Sequence, residues 1–166
     1  MLARQASRKG AGVPMTAVIN DVRSLYNVGS IFRTADGAGL EKIWLCGITG
    51  IPPSGMISKT ALGAENSVPW EYSRDILSVV RGLKDSGYCI VLLEQTVQSI
   101  PFQEFMPDRP ICLIVGNEVT GISDELLKLC DQALEIEMHG IKNSLNVAVA
   151  FGIAAYHLSN GLKAMV

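Results

Sequence analysis

The pattern of apolar runs predicts an α/β fold built on a mainly parallel sheet. Five short, β-rich apolar runs recur along the chain, and segments with helical spacing separate most of them. The runs are continuously apolar rather than alternating, as expected of strands covered on both faces. At 166 residues the chain has the length of one domain, and no internal repeat is visible.

The first strand is expected at Thr16–Asn20. The helix after it, Val28–Ala38, buries Val28, Ile31, Phe32 and Ala35, which obey the i, i+3, i+4, i+7 rule, and Asn27 is well placed to cap it. A second strand follows at Lys42–Cys46. Gly47–Ser58, with Pro52, Pro53 and Gly55, then reads as an irregular loop. A helix over Arg74–Ser86 leads to strands at Tyr88–Leu93 and Ile111–Val115. Ser123 caps the next helix, Asp124–Cys130, and Asp124 and Glu125 fall in its first turn, where the dipole favours them. The last strand, Ala133–Met138, precedes a helix over Leu145–Leu158 that Ser144 is expected to cap. That helix is rich in small residues, from Val147 to Ala155, which let another backbone come close.

Apolar residues make up 48% and charged residues 18% of the chain, which excludes intrinsic disorder. Fourteen Lys and Arg against sixteen Asp and Glu give a net charge of −2, so nucleic acid is not held by bulk charge and any such contact needs a local basic site. The apolar heart of the longest uncharged stretch, Val147–Tyr156, is too short for a hydrocarbon core that needs about twenty residues. Arg4, Arg8 and Lys9 mark residues 1–14 as a short basic arm without a signal-peptide apolar run, leaving 15–166 as one domain. Cys46, Cys89 and Cys112 sit in strand-like runs as small hydrophobes, Cys130 makes no C-x-x-C pair with them, and His139 and His157 have no zinc spacing. The expectation is a reduced, cytoplasmic protein with no membrane contact and no metal.

In open parallel sheets ligands collect where strands end and helices begin, and three such junctions carry unusual residues. In the first, Asn27–Gly39, Arg33 lies one turn after Gly29 and is expected to reach back over it toward the helix start, a place suited to a phosphate. The alternative is a surface arginine paired with Asp36 or Glu41. In the second, Gly116 and Gly121 bracket a tight loop that displays Glu118, either to orient a donor or face a cation, or as a plain turn carboxylate. No Lys follows the second glycine and no G-x-G-x-x-G occurs, so neither a P-loop nor a dinucleotide fingerprint is present. In the third, Ile136, Met138 and Gly140 lead from strand to loop, and Ser144 and Asn146 put two polar side chains at the mouth of an apolar helix, which suggests a lined pocket.

Together the segments N-x-G-x-x-x-R-x-A (Asn27–Ala35), G-N-E-x-x-G-I-S (Gly116–Ser123) and M-x-G-x-x-x-S-L-N-V (Met138–Val147) resemble the three motifs of the SpoU/TrmH family of RNA ribose 2′-O-methyltransferases, in the SPOUT superfamily. K-T-A-L-G-A-E at Lys59–Glu65 is also similar to family sequence, and the likeness runs from about Thr16 to the last helix. The resemblance implies a SPOUT-type α/β knot, with the C-terminal part threaded into a deep trefoil. It implies S-adenosyl-L-methionine as methyl donor, a transfer or ribosomal RNA as acceptor, and a homodimer with composite sites. Carried over by motif, the catalytic set is Asn27, Arg33, Glu118, Ser144 and Asn146. The donor-binding set is Leu92, Leu93 and Glu94, then Val115, Gly116, Asn117 and Gly121, then Ile136, Met138, Ser144, Leu145 and Asn146. One departure is Glu137, where relatives usually carry Pro. The competing expectations are a non-catalytic RNA-binding module of the same fold and a methyltransferase acting on a small phosphorylated metabolite.

Overall fold

Along the first strand, β1 (Val13–Asn20), Met15, Ala17 and Ile19 face one hydrophobic layer while Val18 faces another, and all are buried. The two-residue period of a strand sends successive side chains to opposite faces, so an unbroken apolar run marks a strand with cover on both sides. β6 (Ile111–Gly116) and β4 (Cys89–Leu93) divide their side chains the same way, and Leu92 turns to the layer opposite Val91. With β2 (Leu40–Cys46), β3 (Trp70–Ser73), β5 (Ile100–Pro101) and β7 (Gln132–Glu135) they form one sheet in the order β3-β2-β1-β6-β4-β7-β5. Every pairing is parallel. This computed structural model describes residues 12–116 and 122–165. Asn117, Glu118 and Gly121, and Arg4, Arg8 and Lys9 of the basic arm, lie outside the described residues.

One layer holds α1 (Leu25–Ala38), α2 (Gly55–Ala61), the short α3 (Ala64–Ser67) and α6 (Val147–Lys163); the other holds α4 (Ile76–Asp85) and α5 (Asp124–Leu129). α1 packs against α2 on one side and α6 on the other. A Cβ added at Gly29 would lie 2.1 Å from Thr60 Oγ1 and 2.2 Å from the Ile57 carbonyl. That glycine therefore exists to let α2 close on α1. The space above it is filled, which corrects the expectation that Arg33 reaches across a bare Gly29.

Several boundaries differ from expectation for local reasons. α1 starts three residues early because Ser24, not Asn27, is its cap: Ser24 Oγ accepts the Asn27 N–H at 3.2 Å. α6 is capped by Asn146, not Ser144, since Asn146 Oδ1 accepts the N–H groups of Ala148 and Val149 at 2.9 and 3.3 Å. The Gly47–Ser58 loop is shorter than expected because Ser54 caps α2 within it. The last strand stops at Glu135 rather than Met138, beyond the reach of its neighbours β4 and β5. β3 and β5, the two edge strands, are additions to the expected five. Burial holds the strand cysteines protonated: the Cys46 thiol is pushed up to about 12 by desolvation and by Asp21 and Asp75, and Cys112 is raised further. Among the described residues, no helix is long and apolar enough to cross a membrane.

β7 is registered to β4 at two points. The Asp131 N–H donates to the Ile90 carbonyl at 2.8 Å, and the Ile90 N–H donates back to Asp131 Oδ2 at 2.8 Å. Lys84 Nζ donates to the other carboxylate oxygen at 2.9 Å and Arg109 stands 3.8 Å away. Partial burial raises the Asp131 carboxyl, but the Ile90 N–H and the Lys84 and Arg109 cations outweigh it and hold it below the usual carboxylate range.

Because its folded-state value is depressed, the ionised Asp131 contributes stability that is present above the unfolded value near about 4 and is lost as pH falls through the folded value. Urea unfolding measured against pH is expected to show an acid limb that flattens in Asp131→Asn. Gly29→Ala is expected to lower stability despite the ~1 kcal/mol that Ala gains in a helix, because overpacking of this kind costs about 1–3 kcal/mol and here meets backbone; the same unfolding assay measures it.

Candidate active site

The ends of β4, β6 and β7 open into a cleft with a cavity volume of about 110 Å³. Leu93, Glu94 and Gln95 come from the end of β4, Val115 and Gly116 from β6, and Leu134, Glu135 and Ile136 from β7. The segment after β7 folds over them with Met138, Asn143, Ser144 and Leu145, and the first turns of α6 close the floor with Val147 and Ala150. The walls are mainly apolar. Among the described residues, two carboxylates, Glu94 and Glu135, line the cleft and no Lys, Arg or His does. Such a cleft favours a ligand with a flat apolar part and a positive charge. At the strand ends the parallel ladder finishes and backbone groups face the cleft, so hydrogen-bonding edges are available beside the apolar walls.

A second, open depression runs between α1 and α6, lined by Asn27, Ser30, Thr34, Asn146, Val149 and Gly152 among others. Here Asn146 Nδ2 donates to Asn27 Oδ1 at 3.2 Å, joining the first and third junctions across 119 residues. Asn146 thus does two jobs: its oxygen caps α6 and its amide holds the start of α1. A Cβ added at Gly152 would meet Thr34 at ordinary contact distance, and Val149 and Tyr156 stand exposed along the same face of α6.

Of the expected donor set, Leu93, Glu94, Val115, Gly116, Ile136, Met138, Ser144 and Leu145 line the cleft. Leu92 does not, because strand alternation turns it into the opposite layer. Asn146 lies in the α1–α6 depression beside Asn27. Arg33 is exposed on α1 and lines neither space. No ion pair joins it to Asp36 or Glu41 among the described residues: Glu41 instead accepts from Thr16 and Tyr88. Gln95 and Asn143 fall in the segments near Leu92–Thr96 and Ile136–Asn146 that the resemblance implied for the donor, whereas Leu134, Glu135, Val147 and Ala150 are cleft residues outside them. Leu134 and Val147 were legible only as core, and the strand ending at Glu135 was read as longer. Among the described residues no group of His, Cys, Asp and Glu is placed to hold a metal ion.

The model of the family described as "SpoU rRNA Methylase family" matches residues 14–156. The tRNA (guanosine(18)-2′-O)-methyltransferase of Escherichia coli K12 is 33% identical over 147 residues, 86% of this chain and 61% of that protein. The chain thus spans about three fifths of the length of such curated relatives. Two crystal structures superpose with a TM-score of 0.82 at 26% identity over 92% of the chain: the A. aeolicus TrmH/SpoU tRNA modifying enzyme, of which 77% is covered, and an AdoMet-bound rRNA methyltransferase from Sinorhizobium meliloti, of which 57% is covered.

Asn146→Ala removes the acceptor for two N–H groups and is expected to cost about 1 kcal/mol of stability, while Asn146→Ser restores most of it. Ser144→Ala should leave the helix cap unaffected. Thermal unfolding of the three variants separates the two residues.

Proposed function

Because this chain belongs to the SpoU rRNA methylase family, we propose that it transfers a methyl group from S-adenosyl-L-methionine to a ribose 2′-hydroxyl of a structured RNA, transfer or ribosomal. The observation that carries the reading is the cleft at the ends of β4, β6 and β7, apolar walled and bearing two carboxylates but no cation among the described residues. That chemistry suits an adenine ring and a sulfonium, and the S. meliloti enzyme of the same fold is AdoMet-bound. When bound, the donor supplies an electrophilic methyl group.

In this reading Leu93, Leu134, Ile136 and Leu145 enclose the adenine and exclude water, and Glu94 and Glu135 balance the positive charge. Arg33 acts as a cation. A guanidinium stays protonated at neutral pH, so it clamps an RNA phosphate and steadies charge developing on the 2′-oxygen, while the 2′-proton leaves to a phosphate oxygen or to water. Asn27, Glu118, Ser144 and Asn146 complete the set that orients the acceptor. Positioning of this kind supplies roughly 7–11 kcal/mol of rate enhancement when two reactants are well aligned.

The finer reading is a homodimer. Arg33 is exposed and stands outside the cleft of its own chain, while the α1–α6 face beside it presents apolar residues to solvent. Pairing of two copies through that face, with one copy's Arg33 serving the other's cleft, accounts for both. The segment after β7, which folds over the cleft before α6 returns to pack on β1 and β6, is the part that a trefoil knot would thread. The cytoplasmic methyltransferase domain then begins with β1 at Val13, two residues before the expected boundary at 15.

Arg33→Ala is expected to abolish methyl transfer while leaving S-adenosylmethionine affinity within about twofold, since the lost contact belongs to the acceptor. Transfer of a labelled methyl group to RNA, with calorimetry for the donor, measures both. Mixing Arg33→Ala with Ala150→Phe, which fills the cleft, is expected to restore about a quarter of wild-type activity if sites are shared between two copies. A mixture as inactive as its parts places Arg33 and the cleft in the same copy.

A further inference from the structure

With a net charge of −2 over this sequence, bulk attraction does not hold RNA, and contact with it calls for local groups of cations. The cations of the sheet are treated unequally. At its N-terminal edge Lys84 and Arg109 are both engaged by Asp131. At its C-terminal edge Arg23, which follows β1, and Arg74, which follows β3, are exposed and make no ion pair among the described residues. Lys59 on α2 is exposed in the same way. The acids of this edge are committed to backbone donors: Asp21 Oδ1 accepts the Ile48 N–H at 2.9 Å, and Asp75 Oδ1 accepts from Leu77 and Ser78 at the start of α4.

Between these cations the surface is unusually apolar. Ile48 is 56% exposed, Ile51 43%, and Tyr26 and Tyr72 44% each. Hydrogen bonds hold the set together. The Tyr72 hydroxyl donates to the Gly47 carbonyl at 2.7 Å, and Thr60 Oγ1 donates to the Tyr26 carbonyl at 2.8 Å. Thr49, buried beneath, donates to the Cys46 carbonyl at 2.7 Å and accepts the Val22 N–H at 3.1 Å, tying the loop after β2 to the turn that carries Arg23. The Gly47 N–H donates to Ser73, next to Arg74. The face is therefore fixed by hydrogen bonds from side chains and backbone to neighbouring backbone groups.

Resting on the methyltransferase reading, we propose that this face, across the ends of β1, β2 and β3, docks an unpaired strand of the substrate RNA. Tyr26, Ile48, Ile51 and Tyr72 offer flat and apolar surface on which exposed bases stack, and Arg23, Arg74 and Lys59 hold the phosphates beside them. Unpaired bases can be splayed onto such a surface, whereas the bases of a duplex are already stacked on each other. The face adjoins Asn27 through Tyr26, so a strand lying on it leads toward the proposed acceptor site.

Fluorescence anisotropy with a labelled single-stranded RNA and with the duplex of the same sequence tests this on the full chain, with donor calorimetry as the check on folding and RNA methylation measured in parallel. The wild type is expected to prefer the single strand. Arg23→Ala/Arg74→Ala should weaken it and reduce the salt slope by about 1.4, two phosphates at about 0.7 each. Tyr26→Ala and Ile48→Asp should each weaken it roughly tenfold, with donor affinity unchanged in every variant. If the wild type methylates RNA but these variants bind it with unaltered affinity and salt slope, the face is not the RNA surface and the methyltransferase reading stands. Preference for duplex, or a change of oligomeric state in Ile48→Asp, also overturns the proposal. A wild type that neither binds nor methylates RNA ends the reading itself.

Discussion

Parallel pairing sends all seven strands to the same edge of the sheet, and nearly everything distinctive about this chain gathers there. Each return crossing must begin at that edge, so helix starts, caps and turns crowd against strand ends. β1 stands between the two halves. Its last residue, Asn20, is in register with Gly116 of β6 on one side and with Cys46 of β2 on the other. The cleft occupies the half beyond β6, and the aromatic, basic face occupies the half toward β3. The chain order reverses between them, which is where open α/β sheets bind their ligands.

α6 shows how one helix serves both halves. Val147 and Ala150 close the floor of the cleft, while Val149 and Gly152 line the depression against α1. Phe151, Ala154 and Ala155 are buried in the layer between. A helix with contacts demanded of it all round is apolar all round, which is why its sequence resembled a buried segment and gave no amphipathic stripe. Its few polar side chains are placed with care: Ser159 Oγ donates to the Ala38 carbonyl at 2.6 Å, and His157 Nε2 lies 2.8 Å from the Phe105 carbonyl.

The central strands were legible because burial on both faces leaves an unmistakable apolar run, as in Ile111–Val115. The α1 stripe was legible for the matching reason, and Val28, Ile31, Phe32 and Ala35 are all buried. Where two residues had equal capping chemistry, sequence could not choose between them. Ser24 caps α1 in place of Asn27, and Asn146 caps α6 in place of Ser144. β3 escaped notice because W-E-Y-S is a half-exposed edge, and two-residue β5 has no periodicity to detect. The motif residues drew attention to the cleft, but Leu134 and Ala150 carry no pattern beyond that of the core and enter it only through folding.

The reciprocal bonds between Asp131 and Ile90 act as a ruler for what comes after them. β7 has four residues, and only Ala133 and Leu134 are deeply buried within it, so little else fixes how far it slides along β4. A slip by a single residue would turn Leu134 out of its layer and carry Ile136 to Asn146 about 3.3 Å along the edge. The cleft and the α6 cap would then miss their partners together. A carboxylate at the far, N-terminal end of the strand thus calibrates the dimensions of a binding cleft at the other, and mutational drift at Asp131 would be read as lost ligand fit before it was read as lost fold.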